Sequence, residues 1–411
     1  MTPFFYPIPD LMPPATTRSN PFQSFWMAGY ECTDQLNCFG NRVDFLPLTG
    51  HLQLIDQDYQ DLQQYNLTTV REGIRWSQIE KVPYQYDWST VRDMLAAGRR
   101  HGIQQLWDIC HFGYPDDMTP LHPLFARRFA ALCRAFVQFY RDEQPEGELI
   151  VTPINEVSFM SWLGGDVRGT SPYCVGQGWE VKRGLMRAYI EGVAAMREVD
   201  PNVRILTTEP LINIVPKPGA KRAERQRMAE YTSHQFQSVD MLAGRLCPEL
   251  GGRPEYLDML GFNFYYDNQW ELDPHHRIPW NDQPAHPQWK PLRHLLAMAH
   301  ERYGCPIVLT ETSHPGVDRP VWMEMIGREC AAALKMGIPL WGVCLYPILD
   351  RPDWDFLDRE WHRSGLWDAV LRPDGPPLRV LHEPYAKALL AAQQQVQHAT
   401  VRKPALAEAF S

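Results

Sequence analysis

The chain carries no excess of positive charge: 40 Lys and Arg stand against 49 Asp and Glu, a formal net charge of −9. That balance argues against a polyanionic partner such as nucleic acid. Its basic cluster, Lys221, Arg222, Arg225 and Arg227, is interrupted by Glu224 and reads as a solvated helix face. Cysteine is present but unorganised. Nine residues, an odd number without a C-x-x-C pair, argue against a disulfide framework. Cys110, Cys305 and Cys344 lie in apolar runs and read as buried thiols, whereas Cys32 and Cys38 could pair. No apolar stretch is long enough to span a membrane. The opening MTPFFYPIPDLMPP lacks a basic n-region and is broken by Pro7, Pro9, Pro13 and Pro14, unlike a signal peptide. A cytoplasmic protein touching neither membrane nor nucleic acid is expected, with oligomeric state unreadable. Neither G-x-G-x-x-G nor G-x-x-x-x-G-K-[ST] follows an apolar run, so nucleotide binding has little support. No cofactor and no metal are expected.

What is present is enough apolar material for a large core, 44% of 411 residues, and many aromatics, including 14 Trp. Flat aromatic faces suit sugars, but Trp fills cores equally well.

Short apolar runs alternate with amphipathic segments along the chain. Eight runs read as strands: 25–31, 68–76, 103–112, 148–156, 203–210, 257–266, 305–311 and 340–347. Between them, segments such as FARRFAALCRAFVQFYRD place apolar residues at helical spacing. Asp87 or Ser89 is positioned to cap VRDMLAAGRRHG, with Gly102 stopping it, and Gly337 ends VWMEMIGRECAAALKMG. Repeated strand–helix units imply parallel strands with right-handed crossovers. Eight such units predict an α/β fold, a single (β/α)8 barrel over 23–396. A Pro-rich arm at 1–22 precedes it and a peripheral tail at 397–411 follows.

Catalytic groups in such a barrel gather at the carboxyl ends of the strands. The polar and aromatic residues there include Glu31 and Gln35, Arg71, His111, Asn155 with Glu156, Glu209, Asn263 with Tyr265, Glu311, and Asp353 with Trp354. Glu156 and Glu311 end the fourth and seventh strands and face each other across the barrel. Retaining glycoside hydrolysis needs two carboxyls about 5–5.5 Å apart, one protonated to serve the leaving oxygen and one ionised to attack the anomeric carbon. Asn155, beside Glu156, suits a contact to a sugar 2-hydroxyl. Arg71 is placed to pair with Glu311, and Tyr265 to donate to the same carboxylate. Any single strand-end Glu is more often a surface ion-pair partner, but the joint pattern favours a site.

These segments resemble family 1 glycoside hydrolases and the wider clan that shares their barrel, from about residue 25 to 370. VREGIRWSQIE is similar to that family's strand-two segment, with Arg71 at the arginine that contacts the nucleophile. HFGYP resembles H-W-D-x-P, which implies His111 as a ligand of sugar hydroxyls. PINE resembles the acid/base motif T-x-N-E, LGFNFYY resembles L-G-x-N-Y-Y, and LTET resembles the nucleophile motif I-T-E-N. YPILDRPDW has the spacing of W-S-L-L-D-N-F-E-W, which implies Asp353 and Trp354 as sugar-binding residues. Gln35 falls at the family's sugar-binding glutamine. The resemblance therefore implies Glu156 as general acid/base and Glu311 as nucleophile, supported by Arg71, Asn155 and Tyr265. It further implies Gln35, His111, Asn263, Asp353 and Trp354 as sugar ligands. The chain departs from the family at Phe112, at Tyr346 for a tryptophan, at Asp353 for a glutamate and at Thr312 for an asparagine. It is a divergent relative.

The activity implied is an exo-acting retaining β-glycosidase, β-glucosidase- or β-galactosidase-like, acting on a small-molecule or oligosaccharide glycoside. Two other readings stand beside it: a sugar-binding protein on a degenerate hydrolase barrel, and a metal-dependent barrel using Glu156, Glu209, His111 and Glu311. Glu209 reads as a third candidate carboxylate or a secondary polar group. Adjacent His275 and His276 point apart on an extended loop and read as solvated. Trp270, Trp280 and Trp289 read equally as a pocket rim or as loop packing.

Overall fold

Strands buried on both faces read as continuous apolar runs, and each of the eight runs becomes a strand of one parallel sheet. The computed structural model describes residues 18–272 and 276–401. Most of the expected arm, most of the tail, and His275 lie outside the described residues. The strands are β1 (Trp26–Gly29), β2 (Thr69–Gly73), β3 (Gln104–Cys110) and β4 (Ile150–Ile154). They continue as β5 (in two pieces, Arg204–Ile205 and Glu209–Pro210), β6 (Leu260–Asn263), β7 (Ile307–Thr312) and β8 (Leu340–Leu345). β1 pairs in parallel with both β2 and β8, so first and last strands meet.

Closure on the far side runs through β5. Its first piece pairs with β4, Leu206 bridges Met259, and its second piece pairs with β6. The expected single strand over 203–210 is thus interrupted. Pro153 lies opposite the gap, two residues beyond Val151, whose carbonyl accepts the Leu206 amide at 2.9 Å. By strand alternation Pro153 faces the same neighbour, and proline has no N–H to continue that ladder.

Helices cover the outside. Phe125–Glu143 buries Phe125, Phe129, Leu132, Phe136 and Tyr140, a stripe at spacings of three and four. Helix Ser89–His101 is stopped by Gly102 at φ 62°, and the Asp87 carboxylate accepts the Ser89 amide at 2.9 Å just ahead of it. Gly337, at φ 85°, follows helix Arg319–Lys335. The last helix, Glu383–Val401, continues past residue 397. In helix Arg222–Ser233 the basic cluster is exposed. All nine cysteines are free, Cys32 buried and Cys38 exposed, so that pair does not form. No helix among the described residues is long and apolar enough to cross a membrane.

The barrel interior is divided along its axis. Met27, Leu106, Ile150, Leu206, Met259, Val308 and Cys344 form a separate apolar cluster inside it, with Tyr346 as its uppermost member. Alternation then brings Arg71, Asp108 and Tyr346 inward one level nearer the carboxyl ends. Packing there depends on Gly29, because a Cβ would lie 2.2 Å from the Tyr346 ring.

Candidate active site

Arg71 is the hub. Its Nη1 donates to Glu311 Oε1 at 2.7 Å. Nε and Nη2 grip the two oxygens of Asp108 at 3.0 and 2.7 Å, and Nη2 also reaches Asn155 Oδ1 at 2.7 Å. The guanidinium fork matches this planar, divided demand, which an ammonium cannot. Arg71, Asp108 and Glu311 are almost fully buried, so each charge depends on the others for compensation. Burial pushes the Asp108 carboxyl up, but Arg71 and His111 outweigh it and hold the group below the usual carboxylate range. Tyr346 lies beneath the hub, with the guanidinium carbon 4.9 Å from its ring centre.

Glu311 sits near the end of β7, where the register to β6 and β8 shifts. Its Oε1 faces Arg71, and its Oε2 accepts the Tyr265 hydroxyl at 2.7 Å. Burial, and then the Glu311 charge, push the Tyr265 hydroxyl well up, so it remains a donor. Both carboxylate oxygens are therefore acceptors from fixed groups, an arrangement suited to an ionised nucleophile.

Glu156 has different surroundings. It follows β4 and precedes helix Val157–Gly165, with φ 45° and ψ 57°. A non-glycine residue in this left-handed region costs about 1–3 kcal/mol and needs surrounding structure to hold it. Here its amide donates to Thr208 O at 2.9 Å, across the gap in β5. Among the described residues its Oε1 accepts only from Asn263 Nδ2, at 2.8 Å, and Asn263 is oriented in turn by the Thr310 hydroxyl at 2.7 Å. Burial, reinforced by the charge of Glu311, raises the Glu156 carboxyl well above the usual range; the Asn263 hydrogen bond opposes this. Glu156 is thus arranged to hold a proton, whereas both oxygens of Glu311 are engaged as acceptors.

His111 ends the chain of contacts. Nδ1 lies 2.7 Å from Asp108 Oδ2, which fixes the ring, and Nε2 lies 3.3 Å from both Asn155 Nδ2 and the Tyr346 hydroxyl. The structure thus links Arg71, His111, Asn155 and Glu311 directly, with Tyr265 joined through Glu311, while Asn263, the partner of Glu156, meets the hub through Thr310.

The remaining three sugar-binding candidates stand apart from this network. Gln35 is 1% exposed and its Oε1 has no hydrogen-bond partner among the described residues. Trp354 packs on Phe112 at 5.3 Å between ring centres, next to His111 in the chain. Asp353 turns into its own loop: Oδ1 accepts the amides of Asp355 and Phe356 at 2.8 and 2.9 Å, and Oδ2 meets His362 at 3.1 Å.

Glu209 also turns away. It accepts the Ser158 amide at 3.2 Å, in the first turn of the helix that follows Glu156, where a carboxylate offsets the exposed amides. Of the loop tryptophans, Trp280 donates to His314 at 3.1 Å and sets its edge on Trp322, while Trp289 packs near Phe264. Cys32, Asp108 and His111 have ligand atoms within 4.8 Å of one another, a spacing that fits a metal. Both Asp108 oxygens are already held by Arg71, however, whose guanidinium supplies the positive charge in that niche.

Sequence reasoning missed Asp108. The signal was present: a lone acidic residue within the apolar run IQQLWDICHF, three before His111, must find a cation if that run is a buried strand. Glu31 was visible only as a strand-end carboxylate. Its Oε1 lies 3.3 Å from the Tyr346 hydroxyl and 3.4 Å from His111 Nε2.

No protein-family model matches the sequence, and no curated protein matches it. Solved structures do match the fold. A family 1 β-glucosidase from Thermotoga maritima superposes with a TM-score of 0.68 at 14% identity, over 92% of this chain and 99% of its own. A hyperthermophilic β-glucosidase mutant gives 0.70 at 14%, over 91% and 100%. The AHE enzyme from Alicyclobacillus herbarius gives 0.68 at 16%, over 85% and 87%. The chain therefore has the (β/α)8 fold of these structures, at a sequence distance where the fold alone carries across.

Proposed function

We propose that the protein is a retaining glycoside hydrolase that cleaves β-linked glycosides by double displacement, acting on a terminal sugar. The observation that carries this reading is the opposite treatment of two buried carboxyls at one barrel mouth. Glu311 is held between Arg71 and Tyr265, and Glu156 is pushed towards its protonated form. In the first step a Glu311 oxygen attacks the anomeric carbon. The bond to the leaving oxygen breaks as Glu156 delivers its proton there. In the second step Glu156, now ionised, takes a proton from water, the water oxygen bonds to the anomeric carbon, and Glu311 is released. Asn155, held by Arg71, is oriented for the sugar 2-hydroxyl.

A monosaccharide-sized ligand fits this reading. The Thermotoga maritima β-glucosidase with the same fold was solved with glucoimidazole and with deoxynojirimycin. The occupied oxygens of Asp353 leave room for a second reading, a sugar-binding protein without turnover. A 2-deoxy-2-fluoro glycoside with a good leaving group separates the two. The hydrolase acquires a mass adduct that maps to Glu311, whereas protein that binds sugar and stays unlabelled overturns the hydrolase reading.

A further inference from the structure

We propose that Glu31, at the mouth of β1, is the carboxylate that takes hydroxyls of the bound sugar, in the role the sequence pattern implies for Asp353. The inference rests on the hydrolase reading above. Asp353 is occupied, since two backbone amides and His362 already engage its oxygens. Glu31 is the reverse case, buried at 6% exposure but loosely held. Its Oε1 lies 3.2 Å from the Thr33 amide, 3.3 Å from the Tyr346 hydroxyl and 3.4 Å from His111 Nε2, and its Oε2 lies 3.5 Å from Arg351 Nε. Charge-assisted hydrogen bonds normally close to about 2.7–2.9 Å. A buried carboxylate with such long contacts is under-satisfied, and hydroxyl donors would complete it.

Two further buried polar atoms are also under-satisfied. Gln35 Oε1, four residues along the chain, has no partner among the described residues, and neither has Trp354 Nε1. The Arg351 guanidinium connects the two sides, 5.4 Å from the Trp354 ring centre and within reach of Glu31. Acceptors on Glu31 and Gln35 and a donor on Trp354 match vicinal hydroxyls, each of which both donates and accepts. His111 ties Glu31 to the carboxyl pair, lying 3.4 Å from Glu31 and 3.3 Å from Asn155, which immediately precedes Glu156.

The test compares Glu31→Gln, Glu31→Ala and Asp353→Asn on an aryl β-glycoside and on its analogues lacking the 3-, 4- or 6-hydroxyl. Folding is followed by thermal melting. The parent protein should lose kcat/KM on at least one deoxy analogue. Glu31→Gln and Glu31→Ala should fall about 10- to 100-fold on the full sugar and no longer discriminate against that analogue. Asp353→Asn should stay within about threefold and keep the discrimination. A merely structural role for Glu31 would lower every substrate equally and leave discrimination intact, which overturns the inference. So would loss of discrimination in Asp353→Asn alone. A parent that neither turns over nor labels defeats the hydrolase reading itself, a result distinct from an active parent whose Glu31 variants still discriminate.

Discussion

Tyr265 donates to Oε2 of Glu311 at 2.7 Å, and Arg71 holds the opposite oxygen at the same distance. The phenol fixes one lone-pair direction, so the free lone pairs of the carboxylate face a common side. Tyr265→Phe removes that bond without altering ring volume. A hydrogen bond to a charged group contributes about 1.5–3 kcal/mol, so kcat/KM should fall roughly 10- to 150-fold. Steady-state kinetics on an aryl glycoside, with circular dichroism to verify the fold, checks this.

Glu156→Ala should separate substrates by leaving group. Aryl glycosides with acidic phenols need no proton and should retain most of their first-step rate. Alkyl glycosides, which require protonation, should lose about 10²- to 10⁴-fold. Added azide should restore turnover of the activated substrates by replacing water as the second nucleophile. Equal losses in both classes would remove Glu156 from the acid role.

The same residue predicts a stability change. Its folded-state value is raised above the unfolded value near 4.5, so the folded protein holds the proton more tightly than the unfolded chain. Below pH 4.5 both states are protonated and nothing is lost. As pH rises from there, folding is penalised by about 1.4 kcal/mol per unit until the folded-state value is passed. Glu156→Gln escapes the penalty and keeps an acceptor for Asn263. Its melting temperature should exceed that of the parent at pH 7 and converge with it near pH 4; a gain independent of pH would contradict the assignment.

A buried cluster outside the site predicts a further loss of stability, at alkaline pH. His51 lies 2.7 Å from Asp58 and 3.0 Å from Glu72, with the Tyr59 hydroxyl on Glu72 and Arg379 on Asp58. Burial lowers its basicity, but the charge of Glu72 and the hydrogen bonds to both carboxylates prevail and raise it to about 9 from 6.5. The stabilisation is complete below pH 6.5 and lost as pH rises through about 9, on the order of 3 kcal/mol. Urea midpoints at pH 6, 8 and 10 should fall in that order, and His51→Gln should flatten the trend.

The barrel was legible because parallel strands buried on both faces are mostly apolar, and the stretches 149–151 and 307–309 open their strands that way. The pairing of Arg71 with Glu311 was legible for a related reason: a charge on an inward strand position has few partners within reach. The break in β5 was not, because nothing in VRILTTEP itself stops a strand; the cause lies in Pro153 on the neighbouring strand. Asp353 illustrates another limit. Spacing places a residue on a loop, but the direction of its side chain is decided by nearby amides, here those of Asp355 and Phe356. Asp108 failed for want of a rule applied, since its isolation among apolar neighbours was plain in the sequence.

The gap in β5 sets how Glu156 is tethered. The amide of Glu156 hangs from the carbonyl of Thr208, on a stretch with no ladder of its own to that side, and its backbone sits in a conformation that relaxes once released. Warming would loosen this joint before the barrel sheet as a whole gives way. For the proposed hydrolase, the temperature at which turnover fades would thereby be separated from the temperature at which the molecule melts, and reinforcing the joint would raise the first without moving the second.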